Sequence, residues 1–359
     1  MGMTVEQGSF DRAIDHAVSA AEGFKARARS SRARGKLRGI GYACFLETAR
    51  GKPNEVAELV VGQDGRIDLK VGTHSSGQGH ETTYAQIAAD ALGLPLERFR
   101  FRQSDTDDLG SGGGHGGARS MHQGGTAVVL AAEGLIENAR RLAARLLQTS
   151  ADAIRYDAGT LRIAATGQEI TLDAVVQASY QNAGEDIAPG LAHKATHLCD
   201  RYTFPNGCHL AEIEIDPATG EAKLDRYVIF DDYGRLLDPR LTLGQVHGGV
   251  VQGIGQALLE HALFDADTGQ ILSGSLMDYA LPRAADIPSF EGELTPDFPS
   301  RANRLGVKGS GQAGAIASPA TIMNAVMNAL APLGVRHIDM PATPFRIWAV
   351  IEAARSAAS

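Results

Sequence analysis

The segment GVKGSGQAGAIASP, Gly306 to Pro319, combines four glycines, one lysine and one amide in a turn that leads into a helix. Gly309, Gly311 and Gly314 match the pattern GxGxxG, which is typical of dinucleotide-binding turns. That turn normally closes the first strand of a βαβ unit and is followed about 20 positions later by an acidic residue. Here the pattern lies near the C-terminus and the next acid is Asp339. A structural glycine turn, or a loop that brings Gln312 close to a ligand, fits this context better.

Composition limits the classes of protein that the chain can belong to. Its 359 residues are 43% hydrophobic, which is enough to bury a large core, and this length predicts two lobes. Lys and Arg total 34 against 42 Asp and Glu, a net charge of −8, with both signs interspersed. Without a basic face we expect no binding to nucleic acid or to an acidic membrane.

The cysteines and the apolar runs predict a cytoplasmic protein. Cys44, Cys199 and Cys208 are odd in number and widely spaced, so they form no disulfide framework and no CxxC motif. The first residues, MGMTVEQGSFDRA, contain no apolar core of signal-peptide length. We also expect no membrane span, because no apolar run approaches the ~18 residues that a span requires.

Hydrophobic periodicity predicts an α+β fold with two lobes, in which each lobe has a mixed or antiparallel sheet and helices that follow glycine-rich loops. We place an N-terminal helix and connector at 1–35, a first lobe at 36–170 and a second lobe at 171–359. The predicted helices are one from Phe10, three at 81–93, 126–147 and 172–180, and one over 319–330 with Pro319 in its first turn. The predicted strands are an antiparallel set over 39–71 with a hairpin at Asp64-Gly65, a strand after Pro95, and a pair around Pro217–Gly220. The segment 184–198 is predicted to be irregular and 272–283 to be extended.

Glycine-rich segments precede the predicted helices at four places: 73–81, 110–117, 244–249 and 306–314. The N-terminus of a helix carries free N–H groups and a partial positive charge, so it binds anions without a basic side chain. Glycine lets the backbone approach a ligand closely, and amides such as Gln78, Gln245 and Gln252 can donate to and accept from a heterocycle. The pattern favours a phosphorylated organic cofactor over a bare metal ion.

The histidines do not have the spacing of a metal site. His74 and His80 are six residues apart and His115 and His122 are seven apart, which matches neither HExxH nor a zinc finger. Glu81 beside His80 could form an acid–base pair, although a first-turn glutamate stabilised by the helix dipole is the simpler interpretation. The chain also contains no GxSxG elbow and no P-loop, so the hydrolase and P-loop NTPase classes lack their usual motifs.

Four segments together resemble one family. GQGHETTYAQIAADALG, GGARSMHQGGTAV, GQVHGGVVQGIGQAL with SLMDYALPR, and GVKGSGQAGAIASPATIMNAVMNAL resemble, in this order, segments of the molybdopterin-binding subunit of xanthine dehydrogenase, aldehyde oxidase and carbon monoxide dehydrogenase type enzymes. The resemblance runs from about Gly39 to the C-terminus, and it makes both predicted lobes molybdopterin-binding lobes. It implies a molybdopterin cofactor with molybdenum, often the cytosine dinucleotide form, and partner subunits that carry a 2Fe-2S centre and FAD.

The resemblance also implies roles for individual residues. The cofactor-binding positions that it assigns are Gln78, Gly79, Gly117, Ala118, Arg119, Ser120, Met121, Gln245, Lys308 and Gly311. No protein side chain is expected to bind the metal. Gln312 occupies the position of the family's catalytic glutamate, which acts as the general base for the hydroxyl that attacks the substrate.

Two departures from the family pattern change the expected function. An amide at 312 can orient a hydroxyl but cannot take its proton at neutral pH, and a general base contributes ~10² to 10⁴ in rate. We therefore expect weak or absent hydroxylation of an aldehyde or N-heterocycle. The family's large subunit also has an earlier part without a counterpart here, so the chain is either one half of a split subunit, with the missing N-terminal half as its partner, or a fragment of a longer subunit. In both cases we expect no tight hold on the cofactor by this chain alone. The alternatives are a non-catalytic, cofactor-holding subunit and, from GxGxxG alone, a dehydrogenase that binds NAD.

Overall fold

The computed structural model describes residues 4–103, 105–181, 189–199 and 201–358. The helices, in chain order, are α1 (Phe10–Ala20), α2 (Phe24–Ala33), α3 (His80–Leu92), α4 (Thr106–Leu109), α5 (Thr126–Leu146), α6 (Leu172–Gln181), α7 (Pro239–Leu258), α8 (Ala313–Leu330) and α9 (Pro344–Ala358). The strands are β1 (Leu37–Leu46), β2 (Asn54–Val61), β3 (Ile67–Val71), β4 (Phe99–Arg102), β5 (Ile154–Asp157), β6 (Thr160–Ile163), β7 (Glu169–Thr171), β8 (Leu191–Leu198), β9 (Asn206–Ile215), β10 (Ala222–Asp232) and β11 (Phe290–Thr295).

The chain divides into two compact units. The first unit consists of Met1–Thr48, Thr203–Ser300 and Ser310–Ser359, and the second unit consists of Ala49–Tyr202 and Arg301–Gly309. Both units combine helices with sheets, which confirms the predicted α+β class. The boundaries differ from the predicted consecutive lobes at 36–170 and 171–359, because strand pairing joins segments that are distant in sequence.

The first unit is built on a sheet with the strand order β1–β9–β10–β11. The strand β9 pairs antiparallel with both β1 and β10, and β11 pairs parallel with β10, so the sheet is mixed. The core of this unit joins the sheet to α7, α8 and α9 through Phe45, Tyr227, Val250, Ile322 and Ile351. The predicted strand pair around Pro217–Gly220 is confirmed as β9 and β10.

Helix α8 lies directly on β1 because two positions of that strand have no side chain. A Cβ added at Gly39 would overlap the backbone at Ala325, and one added at Gly41 would overlap the backbone at Thr321. Asn324 Nδ2 donates to the Tyr42 carbonyl at 2.8 Å, and Asn328 Oδ1 accepts from the Ile40 amide at 3.0 Å. Two glycines in β1 therefore set the close approach of helix and strand.

Helices α7 and α8 also meet through glycines. An added Cβ at Gly249 would lie 3.0 Å from the Ala315 amide nitrogen, and one at Gly253 would overlap the Ser318 hydroxyl. From the other side, a Cβ at Gly314 would lie 2.7 Å from the Val250 nitrogen. These glycines allow the two helices to pack closely. The sequence-based interpretation assigned them instead to the close approach of a ligand.

The second unit has a sheet of order β4–β3–β2–β8 and a smaller sheet of order β5–β6–β7. The predicted hairpin at Asp64-Gly65 is confirmed, since β2 and β3 pair antiparallel around it. Helix α5 packs against β2 and β8, and α3 packs against α5. The larger sheet is mixed, because β3 pairs parallel with β4.

Several predicted elements are wrong in detail. The segment 191–198, predicted as irregular, is β8, which pairs with β2; the earlier part of that segment, 184–188, lies outside the described residues. The segment 272–283 contains turns rather than a strand. Strand β1 pairs with β9 and does not join the hairpin that follows it in sequence.

Two predicted helix starts move toward the N-terminus. Helix α7 begins at Pro239, after an N-cap by Asp238, so Gly244 and Gln245 lie inside the helix. Helix α8 begins at Ala313, which places Pro319 in the helix interior rather than in the first turn. The proline is accommodated where α7 presents Gly253, at a point where any side chain would collide with its ring.

Among the described residues, one helical span, Ala313–Leu333, is long and apolar enough to cross a membrane by length and composition alone. Its first part is α8, in which Ile322, Val326 and Leu330 are fully buried in the core of the first unit, whereas Ile316 is 43% exposed. The apolar composition is accounted for by packing between β1 and α7.

Candidate functional site

In the second unit, the loop before α3 is closed by Gln78. The side-chain oxygen of Gln78 accepts from the Ser76 amide at 2.5 Å, and its nitrogen donates to the His74 carbonyl at 3.3 Å. Gly79 is buried and forms the N-cap of α3 with a φ of 75°, a left-handed conformation that favours glycine. The amide of Gln78 thus fixes the loop that presents the free N–H groups of α3.

The loop Gly117 to Met121 has a strained backbone. Gly117 has a φ of 88°, and Ala118 has a φ of 53°, which is unusual for a residue with a Cβ. Ser120 begins a π-helical turn, Ser120–Gly125, that continues into α5, and its carbonyl accepts from the Tyr84 hydroxyl at 2.8 Å. Strained backbone and π-helical turns both concentrate at functional sites.

Arg119, in the same loop, is fully buried and holds the loop from inside. Its guanidinium is paired with the buried Glu55, and it donates to the Gly114 carbonyl at 2.7 Å and to the Lys52 carbonyl at 3.1 Å. The side chain is therefore committed to internal contacts. Arg119 can contribute to a ligand site only through its backbone and through the shape that it gives the loop.

The segment 301–309 packs on this loop. A Cβ at Gly309 would lie 2.7 Å from Ala118 Cβ and 2.8 Å from Ala49 Cβ, so the absence of a side chain lets the two loops touch. Lys308, immediately before it, is buried with 4% of its surface exposed. The second unit thus brings together two sets of predicted residues, the loop at 117–121 and the lysine at 308.

Sequence reasoning missed two buried polar residues beside the loop. His122 is 2% exposed, and neither ring nitrogen has a hydrogen-bond partner among the described residues; the same holds for the Gln123 side-chain oxygen. Burial lowers the pKa of His122 to about 3, with smaller contributions from Arg119 and His197. Burying polar atoms without partners costs ~1–3 kcal/mol each, and such groups often mark a ligand or an ordered water. Only tertiary structure could reveal them, because the residue types alone are common.

The other histidines cluster without forming a metal centre. The rings of His74 and His115 lie 4.8 Å apart between centroids, and burial lowers the pKa of His80 to about 4, with His115 adding to the effect. No group of three or more His, Cys, Asp or Glu in the described part of the chain could hold a metal ion. His80 is therefore neutral at physiological pH.

In the first unit, the predicted residues lie around the start of α8. Gln312 is the N-cap residue, makes no capping hydrogen bond through its side chain, and is exposed. Val246 and Gly249 of α7 touch Gly314, so the second turn of α7, which carries Gln245, lies beside this helix start. The structure thus brings Gln245, Gly311 and Gln312 to one end of the α7–α8 pair.

At four positions neither the backbone conformation nor a contact within the chain requires glycine. A Cβ at Gly116, Gly244, Gly248 or Gly311 would meet no atom within 4 Å, and none of the four has a left-handed φ. Two of them, Gly244 and Gly248, lie inside α7, where glycine costs ~0.5–1 kcal/mol relative to alanine. Close approach of a ligand explains glycine at such positions, so the residues present fit a large organic cofactor.

Open glycines lie in both units, Gly116 in the second and Gly244, Gly248 and Gly311 in the first. Such positions are those of a cofactor-binding protein. The sequence model of the molybdopterin cofactor-binding domain family matches residues 16–288. The chain belongs to this family.

The known relatives are longer than this chain. It is 32% identical over 366 residues to the carbon monoxide dehydrogenase large chain of Hydrogenophaga pseudoflava, covering 97% of this chain and 45% of that protein. It is 36% identical over 319 residues to the gamma subunit of the 6-hydroxypseudooxynicotine dehydrogenase complex of Paenarthrobacter nicotinovorans, covering 88% and 40%. A crystal structure of Cu,Mo-CO dehydrogenase matches with a TM-score of 0.86 and 30% identity over 99% of this chain and 47% of that one. The chain thus spans slightly less than half the length of these relatives.

Proposed function

We propose that this chain is the molybdopterin-binding part of a multi-subunit molybdenum hydroxylase that oxidises an aldehyde or an N-heterocycle with water as the oxygen source. The observation that carries the proposal is the family match over residues 16–288. The open glycines of α7 and the start of α8 support it, because they leave room for a ligand at Gln245 and Gln312.

The roles of the residues follow from their chemistry. In the second unit the backbone at Gly117 to Met121 can bind anionic and polar groups of a cofactor, and in the first unit the free N–H groups at the start of α8 can do so. In the second unit, Gln78 offers hydrogen bonds to a ring edge and Lys308 lies beside the loop at 117–121; in the first unit, Gln245 offers hydrogen bonds to a ring edge and Gly311 lies at the start of α8. The bound cofactor supplies the two-electron redox chemistry. Gln312 orients a hydroxyl at the reacting centre but cannot accept its proton.

We further propose that the cofactor is the cytosine dinucleotide form and that the complex works in the cytoplasm. Its other members are the missing N-terminal part of the subunit, a 2Fe-2S chain and an FAD chain. The names of the relatives support a complex, since one of them is a gamma subunit and others are large chains.

The Gln312→Glu variant tests the proposal. A general base contributes ~10² to 10⁴ in rate, so we expect the variant complex to oxidise aldehydes or N-heterocycles at least about tenfold faster with an artificial electron acceptor. Gln312→Met, which has a similar size and no amide, is the matched control and should not gain activity. Equal turnover in the unsubstituted and the Gln312→Glu complexes across the substrate panel would contradict the role of this position.

A second candidate function is a cofactor-holding subunit without catalysis, and the amide at 312 favours it. In that case the Gln312→Glu complex would stay inactive while its molybdenum and pterin content remained stoichiometric. We expect the purified chain alone to contain much less than one cofactor per molecule. Full occupancy in the isolated chain would show that it needs no partner for binding.

A further inference from the structure

Glu47 is a buried carboxyl group at the end of β1 in the first unit. It is 7% exposed, and neither side-chain oxygen has a hydrogen-bond partner among the described residues. Two other buried acids of the first unit differ from it. Asp231 accepts from the Tyr233 hydroxyl at 2.6 Å and contacts His209 Nε2 at 3.0 Å, and Asp232 accepts from the Gly234 amide at 2.9 Å.

The register of β1 places Glu47 on the side of α8. Side chains on a strand alternate between faces, and Gly39, Gly41 and Phe45 are positions on one face of β1. Gly39 and Gly41 touch α8, and Phe45 shares a core cluster with Ala313 of that helix. Glu47 continues this face two residues beyond Phe45.

The same contacts place Glu47 level with the first turn of α8. Strand and helix run antiparallel, since Gly39 lies beside Ala325 and Ala329, and Gly41 lies beside Thr321 and Ala325. From Gly41 to Glu47 the strand advances about 20 Å. From the residues opposite Gly41, the helix needs about 12–18 Å to reach Ala313. The carboxyl group and Gln312 therefore lie at the same end of the α8–β1 pair.

From this geometry we infer that Glu47 is the proton-accepting carboxyl group beside Gln312, which carries the residual proton transfer in a site whose usual base position holds an amide. The inference rests on the proposed function. In the reaction, Glu47 takes the proton of the hydroxyl as its oxygen forms the new C–O bond to the substrate. The substrate C–H bond breaks, and its hydrogen would leave with both bonding electrons, as a hydride equivalent, to the bound cofactor. The proton then leaves to water, which returns Glu47 to its carboxylate form.

The electrostatics agree with this role. Burial raises the pKa of Glu47 to about 7, so the group can hold or release a proton near neutral pH. Glu47 acts on Tyr233, whose pKa is raised by its own burial and by Asp231, Glu47 and Asp232. The N-terminus of α8 favours the ionised form once the proton has left.

A spectroscopic titration tests the inference without turnover. The difference infrared spectrum of the assembled complex, unsubstituted protein minus Glu47→Gln, should contain one carboxyl group that titrates near pH 7. Its titration should move when the complex is compared with and without bound molybdopterin cofactor. Asp232→Asn is the control, since that carboxylate accepts hydrogen bonds from the Gly234 amide and from Asn206 Nδ2, and its substitution should leave the titrating carboxyl signal in place. Absence of the titrating group, or indifference to the cofactor, would overturn the inference.

Kinetics provide the second arm. Glu47→Gln should lower kcat/KM at least about tenfold in the Gln312 complex but less than about threefold after Gln312→Glu, because the new base takes over. Equal losses in both backgrounds would indicate a structural role and overturn the inference. If the Gln312→Glu complex oxidises none of the substrates, the proposed function fails, and Glu47 is then judged by its titration alone.

Discussion

Gly248 and Gly253 lie on the same helix, α7, and should respond oppositely to alanine. Gly248 faces open space, with no atom within 4 Å of an added Cβ. At Gly253 the new Cβ would overlap the Ser318 hydroxyl and lie 2.8 Å from Pro319 Cδ. The two variants have the same helix propensity and the same added methyl group, so they separate the effect of ligand approach from that of packing.

For Gly248→Ala, the gain in helix propensity predicts a chain that is about 0.5–1 kcal/mol more stable. For Gly253→Ala, overpacking at the α7–α8 contact costs about 1–3 kcal/mol, which exceeds that gain. At about 2–4 °C per kcal/mol, the melting temperature should rise by about 1–4 °C for the first variant and fall by several degrees for the second.

Gly248→Ala should weaken cofactor binding even though it stabilises the chain. If a ligand approaches this backbone, the extra methyl group costs about 1–3 kcal/mol in the complex, which weakens binding about 5- to 150-fold. Calorimetry of the chain and the molybdenum and pterin content of the purified complex measure the two effects. The reasoning is refuted if Gly248→Ala binds the cofactor as tightly as the unsubstituted complex, or if it destabilises the chain as much as Gly253→Ala does.

Two further predictions concern the second unit. Arg119→Met should destabilise it by about 3–5 kcal/mol in urea unfolding, because Glu55 would be left buried and unpaired. The double variant Arg119→Met with Glu55→Leu should recover most of this loss. A double variant as unstable as the single one would contradict the ion-pair argument. The pKa values of His80 and His122 are lowered in the folded unit, so below pH ~6.5 the folded unit binds fewer protons than the unfolded chain. The free energy of unfolding should therefore be highest above pH ~6.5. It should fall as the pH drops toward about 4 for His80 and about 3 for His122, by up to about 1.4 kcal/mol per pH unit for each histidine. His122→Gln should flatten that pH dependence, and an unchanged slope would show that His122 is not buried in its neutral form.

Local pattern was sufficient for much of the fold. The alternation in β2, β3, β9 and β10 and the turns between them predict two correct antiparallel pairs, since both partners and the turn lie within one short segment. The glycine-rich motifs also point to the correct family. Pairing across long separations is not predictable from local pattern, and for this reason the sequence places β1 beside the wrong strand and misses β8.

The roles of individual glycines and acids depended on the tertiary structure. In the sequence, Gly248 and Gly253 carry the same information, yet one faces open space and the other lies against Ser318. Glu47 looks like an ordinary polar residue at the end of a strand, and only the register of β1 against α8 buries it without a partner among the described residues. Sequence alone determined which chemical groups the chain carries and the family to which it belongs, because these depend on residue type and order. The tertiary structure decided which groups are desolvated and which remain open, because burial depends on contacts between residues far apart in the chain.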